Sequence, residues 1–142
     1  MKYIDIRNAI TKKLSSNGNR IYYENIDKVK KPCFFINLVT YNKEFNTFYR
    51  EQKKITIDLL YFPANEKMVN TEIINALENV DEQFEIMGTK TLRVLDRSLN
   101  LKNATMNIVD GVGHYIFDID LFDVYGKPIS YELMNDLNLK FK

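Results

Sequence analysis

The sequence predicts an α+β fold: a single domain with a mixed, mainly antiparallel β-sheet, two helices packed on one face and a long projecting hairpin. Three observations carry this. Two segments space their apolar residues by three and four, as amphipathic helices do. Several others alternate apolar and polar residues, or run apolar with β-branched and aromatic types, as strands do. The strand-like segments follow one another in runs rather than alternating strictly with helices, which favours α+β over α/β. At 142 residues, 45% of them hydrophobic, residues 1–142 can enclose one core.

Tyr3, Ile6, Ile10 and Leu14 fall on one stripe of a helix that ends at the Ser-Ser-Asn-Gly-Asn run, residues 15–19. RIYYENI at 20–26 reads as a short strand. After Lys30-Lys31-Pro32 comes CFFINLVTY, too apolar for an exposed surface, so 33–41 is expected to be a buried strand. Residues 42–54 then mix Phe45, Phe48 and Tyr49 with Lys43, Glu44, Arg50, Glu51 and Lys53. ITIDLLYFP follows, with Ile55, Ile57, Leu59 and Tyr61 alternating against Thr56 and Asp58. A hairpin with its tip projecting from the sheet is the natural reading. Pro63 stops the strand, and Val69, Ile73, Ala76, Leu77 and Val80 mark a second amphipathic helix over 66–80. TLRVLD at 91–96, ATMNIV at 104–109 and residues 114–124 complete the strands, the last two joined across Asp-Gly-Val-Gly, a turn signal. Residues 131–142 read as a short helix or a partner-dependent arm.

Charge and composition exclude several classes. Twenty Lys+Arg against 19 Asp+Glu leave a net charge of +1, which gives no support to nonspecific nucleic-acid binding. Cys33 is the only cysteine and lies beside Pro32, Phe34 and Phe35, so a buried thiol in a reducing compartment is expected. No segment reaches the roughly 20 apolar residues of a membrane span, and MKYIDIRNAITKKL lacks the continuous apolar block of a signal peptide, so a soluble, unexported product is expected. The charge is unevenly spread. Residues 1–60 hold 12 Lys+Arg and 6 Asp+Glu, residues 61–142 hold 8 and 13, a split that suits head-to-tail contact between copies.

The stretch YIFDIDLFDVYG carries three aspartates. Alternation puts His114, Asp118 and Asp120 on one face and Asp123 on the other, with Tyr115, Phe117, Ile119 and Leu121. Asp118 and Asp120 are therefore read as the wet face of a half-buried strand or as a functional acidic surface. A hard-metal site with His114 lacks a third fixed ligand in the local pattern. Lone His114 beside the turn reads as a surface or sheet-edge residue. Glu51 and Lys53 fit the Glu-x-Lys fragment of metal-dependent nucleases, in which a carboxylate holds magnesium and the lysine orients water, but Asp27 matches the expected acidic partner poorly. No serine lies in a nucleophile elbow and the five glycines form no phosphate loop, so no catalytic, cofactor-binding or metal residue is assigned. Tyr41, Phe45, Phe48, Tyr49 and Arg50, in or near the hairpin, form a candidate assembly interface.

KPCFFINLV at 31–39, KITIDLLYFP at 54–63 followed directly by a helix, and HYIFDIDLFDVYG at 114–126, after an N-terminal helix, together resemble the tail terminator or tail-completion proteins of tailed bacteriophages and of related contractile particles in prophages of Gram-positive bacteria. The resemblance implies a structural protein that forms a hexameric ring on the last disc of the tail tube, stops tube growth and offers the docking surface for the head. Its implied partners are further copies of itself, the tail tube protein, the head–tail connector and, in a contractile tail, the sheath, with no cofactor. Its implied place is the neck-proximal end of the virion tail, after assembly in the host bacterial cytoplasm. Asp118 and Asp120 would then suit an acidic lumen that repels the DNA backbone, and the hairpin at 42–54 or the arm at 131–142 would meet the sheath. A different head–tail connector or tail-assembly protein, and a small nuclease using Glu51 and Lys53, are the alternatives.

Overall fold

A computed structural model describes residues 1–24, 29–45, 50–64, 69–86 and 88–124. Helix α1 spans Tyr3–Ser15 and α2 spans Val69–Phe84; the strands are β1 Ile21–Tyr22, β2 Cys33–Phe45, β3 Arg50–Phe62, β4 Glu85–Ile86, β5 Thr89–Val94, β6 Arg97–Val109 and β7 Val112–Val124. Among the described residues these strands form one sheet in the order β1-β2-β3-β7-β6-β5-β4. β1 runs parallel to β2 and all other neighbours are antiparallel, which is the mixed, mainly antiparallel sheet expected.

Each helix docks by the stripe its sequence marks. Ile6, Ile10 and Leu14 of α1 and Ile73, Leu77, Val80 and Phe84 of α2 are buried. They meet the helix-side residues of the sheet: Phe34 and Ile36 on β2, Ile55, Ile57, Leu59 and Tyr61 on β3, Tyr115, Phe117, Ile119 and Leu121 on β7, with Leu92, Val94, Leu99 and Leu101 from β5 and β6. The rings of Phe84, Tyr115 and Phe117 lie 5.8–6.1 Å apart, and the buried Tyr115 hydroxyl donates to Asp81 at 2.6 Å, so no polar group of that ring is stranded. Gly113 lets α2 approach β7 closely, because a Cβ there would stand 2.5 Å from Ile73 Cγ2. The β6–β7 turn uses Asp110 and Gly111, both at positive φ, between Val109 and Val112, as a two-residue hairpin requires.

Two ladder irregularities curl the sheet around this core. One lies between Leu38 and Thr40 of β2, the other between Lys102 and Thr105 of β6, where Asn103 takes φ +56°. Just before the second of these, β6 changes partner: 97–100 pair with β5 and 101–109 with β7.

Several boundaries differ from expectation. β6 starts at Arg97, not Ala104, because Ser-Leu-Asn-Leu already alternates and buries Leu99 and Leu101. β5 is displaced to Thr89–Val94, with Leu95 at φ +56° opening the next turn. α2 runs four residues past Val80, where Phe84 adds one more buried turn. β2 extends through Phe45, and its partner β3 is flanked by β7 as far as Arg50 opposite Val124, so the β3 half of the hairpin arm belongs to the sheet. The hairpin tip at 46–49, Asp27 and the arm at 131–142 lie outside the described residues.

Candidate assembly surface

Three surface regions gather the residues singled out above. The first is the free margin of β2. β1 covers only Phe34 and Phe35, so among the described residues no strand lies on the outer side of 37–44. On the helix side of this margin, Leu38 and Tyr41 are 37% and 43% exposed, and Phe45 is 61% exposed with the Lys43 ammonium 5.6 Å from its ring. Arg50 is set on the opposite side of the sheet, its guanidinium 5.9 Å from the Phe122 ring. Tyr41 and Phe45 thus share a row that Arg50 does not join; Phe48 and Tyr49 lie outside the described residues. A second margin, not foreseen from the sequence, is β6 at 101–109, which has β7 on one side and no strand on the other among the described residues. Its alternation is broken by the Asn103 irregularity, so the leucines before it and Met106 and Ile108 after it do not read as one strand.

The second region is the helix-free face of β3 and β7. Asp118 and Asp120 share it, as alternation requires. Asp118 accepts from Thr56 Oγ1 at 2.7 Å and Asn103 Nδ2 at 3.0 Å, while Asp120 pairs with Lys102 at 3.1 Å. His114 is not at a sheet edge: Leu60 and Asn107 flank it in register, and its Nδ1 lies within hydrogen-bond distance, 2.8 Å, of Asp58 Oδ2. Among the described residues no three His, Cys, Asp or Glu side chains gather as a metal cluster.

The third region is on the helix side, where β3 and β7 run past the apolar core. Asp123 directly faces Glu51 in register. The Lys53 ammonium, 6% exposed as a residue, lies 3.5 Å from Glu51 and 3.8 Å from Asp123 and donates to the Met1 carbonyl. Asp123 also binds the Met1 amino group at 2.8 Å and Arg97 Nη1 at 2.6 Å, and Arg97 Nη2 donates to the Phe122 carbonyl. Lys43 completes the chain, 3.2 Å from Glu51. Burial alone would raise the Asp123 pKa; the Met1 ammonium and Arg97 outweigh it and hold the carboxyl below its ordinary range. Glu51 and Lys53 are therefore brought together with an acidic partner, Asp123, but the ammonium itself occupies the space between the carboxylates. The signal for this partner was an aspartate in phase with four apolar residues. Cys33 is buried, and desolvation raises its thiol pKa against the pull of Lys31 and Arg20, so it is a poor nucleophile.

Fold and surface together define a small α+β protein with two strand margins that carry no neighbouring strand among the described residues. Comparison with known proteins is more particular: residues 5–130 match the family model of the phage tail terminator protein, and the chain belongs to that family. The family gives it a structural role in the virion tail, in an oligomeric assembly with other tail proteins. No curated protein matches it. A solved structure of 10% sequence identity overlaps 87% of this chain and 96% of its own at a TM-score of 0.42, a likeness too distant to bear on function. No helix among the described residues is long and apolar enough to cross a membrane.

Proposed function

We propose that the chain closes into a hexameric ring on the end of the tail tube, stops tube polymerisation there and presents the surface that the head–tail connector meets. The observation that carries this reading is the pair of margins, on opposite sides of one sheet, that have no neighbouring strand among the described residues. β2 and β6 run antiparallel to each other, since β3 and β7 intervene with alternating direction. The β6 margin of one copy can therefore accept the β2 margin of the next as an ordinary antiparallel neighbour, and repetition of that contact is heterologous and closes when the rotation closes.

In such a ring the helices lie on one wall and the helix-free face on the other. If that second wall is the lumen, Asp118 and Asp120 border the passage of DNA, with Lys102 and Lys54 beside them reducing its net negative charge. The hairpin at 42–54 and the arm at 131–142 are then the segments for tail partners, including a sheath where the tail contracts. The host cytoplasm is where assembly would occur.

The test is capping. Purified protein is added to tail tubes growing from purified tube protein, and tube lengths and tips are scored by electron microscopy, with ring mass from native mass spectrometry. Six-copy rings on tips and arrested growth are expected; tubes that lengthen unchanged in excess protein would sink the reading and favour a connector that binds elsewhere. The nuclease alternative predicts magnesium-dependent nicking that Glu51→Gln abolishes, whereas the ion-pair geometry predicts that this substitution changes stability.

A further inference from the structure

Helix α2 leaves an apolar flank beside the free margin of β6. Ile74, Leu77 and Glu78 of the helix and Met106, Asn107 and Ile108 of the strand line a groove of about 270 Å³, sized for one or two apolar side chains. Ile74 and Met106 are both nearly half exposed in it. Met106 and Ile108 point to the helix side, since they face Tyr115 and Gly113 across the ladder. Leu38, Tyr41 and Lys43 of β2 are on that same side, facing Ile57, Ile55 and Lys53. Leu38 and Tyr41 are left exposed there, beyond the cover that α1 and α2 give the core.

We infer that the groove is an intersubunit socket, filled by Leu38 and Tyr41 of the next copy, so that each α2 covers its own β6 and its neighbour's β2. This rests on the ring reading above. Three features select a second copy as occupant. The groove is continuous with the β6 margin that the ring contact uses. An incoming β2 paired on that margin must present Leu38 and Tyr41, and not its other row, to the helix side, because cross-strand neighbours share a face. The charges also match: α2 carries acidic residues and no Lys or Arg, with Glu78 exposed at the groove, while the incoming row carries, two residues after Tyr41, Lys43, whose side chain stays partly exposed beside Glu51 of its own chain.

The test uses a Cys33→Ser background with Leu38→Cys and Ile74→Cys, both at exposed positions, assembled on tail tubes and treated with a short bis-maleimide. The expected result is a covalent ladder of up to six copies, with 38-to-74 linked peptides between chains by mass spectrometry. Rings on the tube tips without that ladder would overturn the socket while leaving the ring standing. Linkage of 74 to the chain's own 125–142 segment, probed with a cysteine there, would overturn it likewise, and absence of rings from tips capped by nothing would remove both. As a second measurement, Glu78→Lys should lower ring yield roughly tenfold at low salt with an unchanged melting temperature; an unchanged yield would remove the charge match.

Discussion

At the scale of single residues, the buried charges and close contacts make the sharpest predictions. Asp123 is held ionised by Arg97 and the Met1 amino group, so its folded-state pKa lies below its unfolded one. The stabilisation it gives is complete above the ordinary carboxylate range, about pH 4, and is lost as pH falls through the depressed value. Thermal melts should therefore show stability falling as pH drops below about 4, and Asp123→Asn should flatten that slope while lowering the plateau. Glu51→Gln leaves Lys53 with one carboxylate fewer in a nearly dry site, and about 2–4 kcal/mol of unfolding free energy should be lost in denaturant titrations. Gly113→Ala drives a methyl against Ile73 and should cost about 1–3 kcal/mol. Combined with Ile73→Ala it should cost less than the sum, because the second change removes the clash. Asp123 also shows what the sequence conceals at this scale: alternation exposes its misplaced polarity, but only the register with Glu51 tells which charges answer it.

Among the elements, legibility follows periodicity. α1, the first half of β2, β3, α2 and β7 each bury an unbroken stripe or alternate row, and each could be read directly from that repeat. β6 could not, because the irregularity at Asn103 shifts its phase midway. β1 lies within the RIYYENI segment read as a strand, with Ile21–Tyr22 as its extended part among the described residues, whereas β4, at two residues, is fixed by its neighbour and not by any pattern of its own. The free margins are equally invisible in sequence, since a strand does not record how much of its length is covered. The β2 margin yields its own prediction. Leu38→Lys places a charge on an already exposed side chain, so the melting transition should move by no more than about 0.5 kcal/mol. The same change should abolish ring formation in native mass spectrometry, as charges on edge strands block pairing. Retained rings would show that the β2 margin is not the joint.

For the whole molecule, the uneven charge of its two halves matters more than the net +1. A joint that sets Lys43 of β2 against the acidic α2 of the next copy weakens with ionic strength, with a screening length of about 10 Å at 0.1 M salt. Sedimentation at 0.05 M and 0.5 M salt should show the ring dissociating at the higher value. A purely apolar joint would hold or strengthen instead.

The central pairing of β3 with β7 runs from Tyr61 beside Gly113 to Arg50 beside Val124, whereas β2 with β3 and β6 with β7 are joined locally in the chain. Two hairpins can thus form early, each at the modest entropy of a short closure, and must then find one another across the intervening helix and β5. Docking them is the long-range, slow event of folding. Until it happens each hairpin exposes both of its margins, so a nascent copy can stick to its neighbours in the wrong order. Rapid growth at high copy number therefore favours misassembly, and the yield of native protein should rise when synthesis is slowed.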